Sequence, residues 1–359
     1  MAGGPNSSPA SISHGSTEPL LRRTVITVLG AHNSGPGNVR SVGFELAQSH
    51  IQEAIDGAME EARAATRSRR DLYDEGQLEI LSQPSVACLS LAGVGREADR
   101  LAIQSWGFAK GLGQQVLVTT DAEPLLAYLN INHSTDSLEA ADSLETNREL
   151  FHRRLPFSLE PRRNAISLIS GTGSFCFGTS DCGDRETCGG WGGLLGDEGG
   201  GYWFAIEALK AVTRYADGRG QPTKLTEETL KYLGLENATD LIGLIYNPNT
   251  TRDQIAKLAG IVFALAHEDP VSKAIVDQGA EHLAELIATV GMRLEFPEKN
   301  IAPMIGFAGG NFCNQPVLLH ATLAALERRS FTISSAVRIY EPALGGFVLA
   351  SQQLFNGES

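Results

Sequence analysis

The sequence is poor in cysteine and aromatic residues and has no long apolar run. Its five cysteines (Cys88, Cys176, Cys182, Cys188 and Cys313) are an odd number in a chain of 359 residues. They offer no disulfide framework, which is the usage expected of a cytoplasmic protein. Cys182 and Cys188 flank a Gly/Asp-rich turn, but their spacing is not C-x-x-C and no His lies nearby, so no metal site is assigned. No stretch approaches the ~18 consecutive apolar residues of a membrane-spanning helix. Positive charge is also short: 29 Lys and Arg stand against 42 Asp and Glu, for a net charge of −13. With no basic stripe to offset that balance, duplex nucleic acid and anionic membrane surfaces are excluded as partners. The opening residues have neither a basic n-region before an apolar h-region nor a transit-peptide charge pattern. Residues 1–23 are expected to form a poorly ordered tail.

Glycine is abundant, at 39 of 359 residues, against a usual ~7%. The rest of the chain alternates strand and helix signals. Expected strands are Thr24–Leu29, Val86–Leu91, Gln114–Thr119, Ala165–Ser170 with a hairpin partner at Phe175–Gly178, Pro303–Phe307 and Ala336–Ile339. Helical spacing runs from Val42 to Arg67, through Trp106, and over 202–216, 225–234, 252–267, 270–292, 313–326 and 344–355. Such alternation argues for an α/β protein with a parallel or mixed sheet in each of two halves. Residues 129–163 are polar and charged and read as a surface insertion, with one helix around Ser143–His152.

The glycines gather where strands end. Gly171–Ser174 (GTGS) and Gly309–Gly310 each follow an apolar strand. Glycine turns let backbone N–H groups approach a phosphate closely, and the Thr172 and Ser174 hydroxyls add donors. The run Gly189–Gly201 (GGWGGLLGDEGGG) holds eight glycines in thirteen positions directly before a helix. That placement points to a loop whose backbone faces a ligand at a helix N-terminus. Asp121 closes a strand at its carboxyl end, where open α/β sheets bind ligands, and is the candidate general base. Thr120–Asp121 would serve equally as a helix N-cap, and Asp197 and Glu198 could cap the helix that follows them.

GTGSFCFG, CGGWGGLLGDEGGGYWFAIEALK and the preceding TTDA resemble the N-acetylglucosamine kinases and the wider BadF/BcrA-type ATPase group. Weaker similarity covers about residues 24–356, including GPGNVRSVG, LSLAGVG and GFAGGN. The resemblance implies an α/β fold of two actin-like (ribonuclease H-like) domains around a central nucleotide and sugar cleft. The first domain would span 24–121, with helix 344–355 packing back on it, and the second 122–343. ATP with Mg2+ would be the phosphoryl donor and an amino sugar the acceptor, in a cytoplasmic enzyme that forms a homodimer. Carried over by position, Asp121 matches the catalytic base. Asn38, Thr172, Gly190, Trp191 and Asp197 match sugar-binding positions. Gly171, Thr172, Gly173 and Ser174 match a phosphate turn, and Gly309 and Gly310 the adenosine turn. Two other readings stand beside the kinase: a non-catalytic sugar or nucleotide binder, and a BadF-type ATPase activator.

The sequence departs from the resembling group in two places. The first phosphate loop, an apolar strand ending in an acidic residue and a Gly-Gly-Thr turn, is matched only by a remnant at Gly15, Ser16 and Thr17, after residues that cannot make a buried strand. The chain as written is therefore expected to bind amino sugar but to turn over ATP poorly. The second departure is the 129–163 insertion, which lies between Asp121 and Thr172.

Overall fold

The computed structural model describes residues 24–27, 32, 34, 42–67, 84–131, 154–160 and 163–356. Asn38, Gly15–Thr17 and the helix expected at Ser143–His152 lie outside the described residues. In chain order the elements are β1 (Thr24–Thr27), α1 (Phe44–Arg67), β2 (Val86–Leu91), α2 (Glu97–Ala109), β3 (Gln115–Thr120), α3 (Glu123–Tyr128), β4 (Arg154–Phe157) and β5 (Ala165–Ser170). Then come β6 (Ser174–Thr179), β7 (Arg185–Gly189), α4 (Gly201–Ala216), α5 (Leu225–Leu233), α6 (Leu241–Ile245), α7 (Arg252–Ala256), α8 (Ala259–Leu265) and α9 (Pro270–Arg293). The chain closes with β8 (Met304–Ala308), α10 (Gly310–Cys313), α11 (Pro316–Arg328), β9 (Ser335–Ile339) and α12 (Pro342–Asn356).

The main sheet is five-stranded and mixed, in the order β7-β6-β5-β8-β9. β5, β8 and β9 run parallel, while β6 and β7 add an antiparallel edge. Alternation along the strands explains why both faces are covered. Ile166, Leu168, Cys176, Ile305 and Phe307 face one core, shared with α4, α9 and α11. Their neighbours Ala165, Phe177, Ala308 and Ile339 face a second core with α3 and α12. Near-continuous apolar runs such as AISLIS are what a parallel strand buried on both faces requires. Phe204, Phe296, Phe307 and Phe312 are fully buried, and removing each from water contributes about 1.5–3 kcal/mol. A third, smaller core joins α1 and α2 to β2 and β3 through Ile51, Leu89, Ile103 and Val116. β2 and β3 pair in parallel, and β1 pairs antiparallel with β4.

Four expectations about the elements change. The stretch 129–163, read as a surface insertion, has buried ends: Leu129, Ile131 and Phe157 belong to the second core, and Arg154–Phe157 forms the strand that pairs with β1. β7 had no sequence signal, because RETCG is polar and charged; it is nonetheless held in register across from β6, Cys188 opposite Cys176. The helix expected over 252–267 is two helices. Lys257 and Leu258 keep right-handed angles, but the bonds tighten to three-residue spacing, from Leu258 N–H to the Ile255 carbonyl and from Gly260 N–H to the Lys257 carbonyl. The helix expected to begin at Cys313 begins instead at Pro316, a residue suited to the first helical turn; Cys313 ends the short α10.

α3 and α12 meet backbone to backbone. A Cβ at Gly345 would overlap the Pro124 carbonyl, so no side chain fits there. The contact matters because α3 begins two residues after Asp121 and α12 also packs on β2.

Candidate active site

Asp121 lies just past the carboxyl end of β3. α3 takes Ala122 at its N-cap position with no side-chain cap bond, so the Asp121 carboxylate is not spent as a helix cap. Instead it borders a cavity of about 540 Å³ that also touches Cys88, Ser90, Ile169, Gly309 and Phe347. Asp121 is reached by solvent. Even so, the surrounding protein holds its carboxyl above the ordinary value by desolvation, and a hydrogen bond with its own backbone amide offsets only part of that shift. A carboxylate raised in this way is a stronger proton acceptor than a free one. Burial also pushes up the Cys88 thiol, which keeps it protonated and argues against a nucleophilic cysteine here. Ser90 Oγ is engaged with Thr119 Oγ1 at 2.8 Å.

Across the cavity the two glycine turns are joined. Gly309 adopts φ +93°, and a Cβ there would overlap the Ser170 carbonyl. The turn after β8 can therefore lie directly on the turn after β5 only with glycine. Asn311 locks the contact, its amide donating to Ser170 Oγ at 3.0 Å and to the Gly171 carbonyl at 2.9 Å. Sequence reasoning passed over Asn311, although it ends the quoted GFAGGN run.

The Gly189–Gly201 block differs from expectation. The N-terminus of α4 does not face open space: Gly201 N–H donates to the Gly171 carbonyl at 2.7 Å and Tyr202 N–H to the Thr172 carbonyl at 2.9 Å. A Cβ at Gly200 would sit 2.7 Å from Gly173 Cα, so these glycines permit two loops of the protein to touch. The hydroxyls are likewise spent inward. Ser170 donates to the Gly199 carbonyl at 2.7 Å, Ser174 to the Glu198 carbonyl at 2.8 Å and Thr172 to Asp253 Oδ1 at 2.6 Å. The expected hydroxyl donors to a phosphate are thus committed within the protein. Gly171 N–H bonds the Gly173 carbonyl. Among the described residues, the N–H groups of Thr172 and Gly173 make no backbone hydrogen bond and stay available to an anion.

Asp197 is buried at 6% exposure and adopts φ +61°. α4 takes Gly200 as its N-cap without a side-chain bond, so neither Asp197 nor Glu198 caps it. The Asp197 carboxylate packs against Gly173, where a Cβ would lie 2.5 Å from Oδ2. Arg252 Nη2 donates to the same Oδ2 at 2.9 Å. Gly190, at φ +75°, turns the chain beside the Phe175 ring, and Trp191 next to it is 74% exposed. Thus Thr172, Gly173, Asp197 and the Gly309 turn form one contiguous constellation, and of these Gly309 lines the cavity that Asp121 borders. Arg252 and Asp253 belong to it too and were missed. Thr251 and Gln254 form a capping box that signals a helix start and says nothing of what the helix carries.

The fold is shared with solved structures. One from Chromobacterium violaceum, provisionally assigned as an N-acetylglucosamine kinase, superposes with a TM-score of 0.59 at 19% identity over 90% of each chain. Another of that provisional assignment, from Porphyromonas gingivalis, gives 0.53 at 16% identity, covering 83% of this chain and 87% of that one. The chain therefore shares the mixed α/β fold of these structures. The family profile of the BadF/BadG/BcrA/BcrD ATPases matches residues 15–350, and the chain belongs to that family. It is 30% identical over 278 residues to an N-acetylmuramic acid/N-acetylglucosamine kinase of Clostridium acetobutylicum, covering 77% of this chain and 75% of that protein. It is 29% identical over 292 residues to an N-acetyl-D-glucosamine kinase of Dictyostelium discoideum, covering 81% and 80%. The resemblance read from the GTGS and GGWGGLLGDEGGG runs holds at the level of the family.

Proposed function

We propose that this protein transfers the γ-phosphoryl group of ATP to a hydroxyl of N-acetylglucosamine or a closely related amino sugar. The observation that carries the reading is the cavity in which Asp121, its carboxyl raised by desolvation, faces the Gly309 turn that Asn311 ties to Gly171. The curated relatives are amino-sugar kinases by name, which supports the same assignment. In this reading the cavity separates two actin-like lobes, residues 24–121 with α12 and residues 122–343.

Phosphoryl transfer asks the protein for positioning and charge stabilisation more than for covalent chemistry. The sugar hydroxyl lies against Asp121, which accepts its proton as the oxygen attacks phosphorus. The Thr172 and Gly173 N–H groups receive charge on the phosphates, and the Gly309–Gly310 turn receives the adenosine. Asp197, held by Arg252, accepts from sugar hydroxyls, with Gly190 and Trp191 bordering the ring and Asn38 completing the sugar site. Among the described residues no group of three or more His, Cys, Asp or Glu is placed to hold a metal. In this reading Mg2+ would arrive on ATP, since Mg2+ is usually bound through phosphates and one or two carboxylates. When bound it neutralises charge on the phosphates.

Two outcomes test the site. N-acetylglucosamine should raise the melting temperature of the wild type by mass action and should do so far less in Asp197→Asn. Asn is the sharper probe than Ala because it tolerates the positive φ at this buried position. A shift of unchanged size in Asp197→Asn would make the GDEG run structural only. The second outcome concerns Gly15, Ser16 and Thr17, which we assign as a remnant first phosphate turn; the family match itself begins at Gly15. One lost preorganised donor costs about 3–4 kcal/mol at the transition state. Turnover with ATP and N-acetylglucosamine should therefore fall well below the ~10 s⁻¹ ordinary for enzymes, and a value near that figure would show the remnant to be sufficient.

A further inference from the structure

The two neighbours Arg252 and Asp253 each hold a different residue of the candidate site. Arg252 donates Nη2 to Asp197 Oδ2 at 2.9 Å, and its guanidinium lies 5.0 Å over the Tyr202 ring. Gly193 leaves that guanidinium its place: a Cβ there would come within 2.6 Å of Nη2 and 2.7 Å of Tyr202 Cδ1. Asp253 Oδ1 accepts the Thr172 hydroxyl proton at 2.6 Å, a short bond of the charge-assisted kind. The capping box of Thr251 and Gln254 fixes the start of α7 and so the direction of both side chains.

These two bonds decide what the site offers a ligand. A hydroxyl has one proton to donate and two lone pairs to accept with. With its proton committed to Asp253, Thr172 Oγ1 meets a ligand as an acceptor. Asp197, ionised, is an acceptor in any case; the Arg252 bond to Oδ2 fixes how the carboxylate is turned and leaves Oδ1 to the ligand. Acceptors repel an unprotonated phosphate oxygen and attract O–H and N–H groups. We infer that Arg252 and Asp253 are positioning residues that set Thr172 and Asp197 as paired acceptors, so that the Thr172 side chain reads a donor hydroxyl of the sugar and leaves phosphate to the backbone N–H groups of its turn. The inference rests on the amino-sugar kinase reading and assigns a division of labour within that site.

The test is steady-state kinetics on the 359-residue chain with Asp253→Ala, Arg252→Gln, Arg252→Lys, Thr172→Val and the double variant Thr172→Val/Asp253→Ala. One hydrogen bond of about 1 kcal/mol corresponds to roughly a five- to tenfold effect. The KM for N-acetylglucosamine should rise by roughly that factor in Asp253→Ala, Arg252→Gln and Thr172→Val, with the KM for ATP changed less than about twofold. Arg252→Lys should recover part of the loss. Thr172→Val/Asp253→Ala should be no worse than Thr172→Val alone, because Asp253 acts through the hydroxyl that valine lacks. A rise in the ATP KM in place of the sugar KM would overturn the inference, as would strict additivity in the double variant. A wild type that binds sugar without turnover allows the same comparison by sugar-induced melting shifts. A wild type that neither binds nor phosphorylates N-acetylglucosamine overturns the kinase reading together with this one, whereas an active kinase whose sugar KM ignores Asp253→Ala overturns this one alone.

Discussion

Replacing Asp121 by Asn should lower the rate of phosphoryl transfer by about 10²–10⁴-fold, the usual contribution of a positioned general base. Asn keeps the shape and the hydrogen bond but cannot take the proton, so N-acetylglucosamine binding should persist. The raised carboxyl gives the wild type a pH signature. As the proposed base, Asp121 would work only when ionised, so kcat/KM should fall as the pH drops through its folded-state pKa, on an acidic limb above the ordinary 3.8. The same shift has a sign for stability. A carboxyl whose folded pKa exceeds its unfolded one makes the charged native state costly at neutral pH, and the cost disappears as the group is protonated. Asp121→Asn should consequently melt slightly higher than the wild type while being nearly inactive. A variant that loses both stability and activity would mean that Asp121 holds the fold, contrary to this account.

The second large effect is on stability. Asp269 is 4% exposed and ties the starts of two helices together. It accepts from Ser272 N–H and Ser272 Oγ at 2.8 Å each, from Thr223 Oγ1 at 2.9 Å and from Lys224 N–H at 3.1 Å. Desolvation alone would raise its pKa, but these hydrogen bonds outweigh it and leave the carboxyl below the ordinary 3.8. Asp269→Ala removes a helix cap worth about 1 kcal/mol and leaves buried donors unsatisfied at about 1–3 kcal/mol each. We expect a loss of about 3 kcal/mol or more, seen as a melting temperature lower by roughly 5–10 °C. Because the folded pKa is depressed, this contribution is fully present above the unfolded value near 3.8 and is lost as pH falls through the lower folded value. The gap between wild type and Asp269→Ala should therefore narrow only in that acidic window. A constant gap across it would assign the loss to packing rather than to the ionised cap.

Much of this was legible in the sequence because the signals were local. The alternation of AISLIS with helical runs foretold strands β5 and β8 and the long helix α9 to within a residue or two. The place of Asp121 at the end of β3 was legible because it follows from where the strand ends. The glycine-rich block shows where local reading stops. GGWGGLLGDEGGG looked like a loop open to a ligand, yet Gly200 and Gly173 make room for each other and the α4 N–H groups bond the Gly171 and Thr172 carbonyls. Glycine marks close approach without naming what approaches. Asp253 reaches Thr172 from 81 residues away and Asn311 reaches Gly171 from 140; no spacing rule joins such pairs before the chain folds. β7 escaped for a different reason, since an edge strand of polar and charged residues carries no apolar period.

The central claim is that this chain is an amino-sugar kinase whose base is Asp121. Its most direct test is a coupled assay of ATP-dependent N-acetylglucosamine phosphorylation, run on the wild type and Asp121→Asn alongside a sugar-binding measurement. The account predicts sugar phosphate from the wild type, a rate lower by about 10²-fold or more in Asp121→Asn, and sugar affinity of similar size in both. Equal rates in the two proteins, or a wild type that binds the sugar and never phosphorylates it, would contradict it.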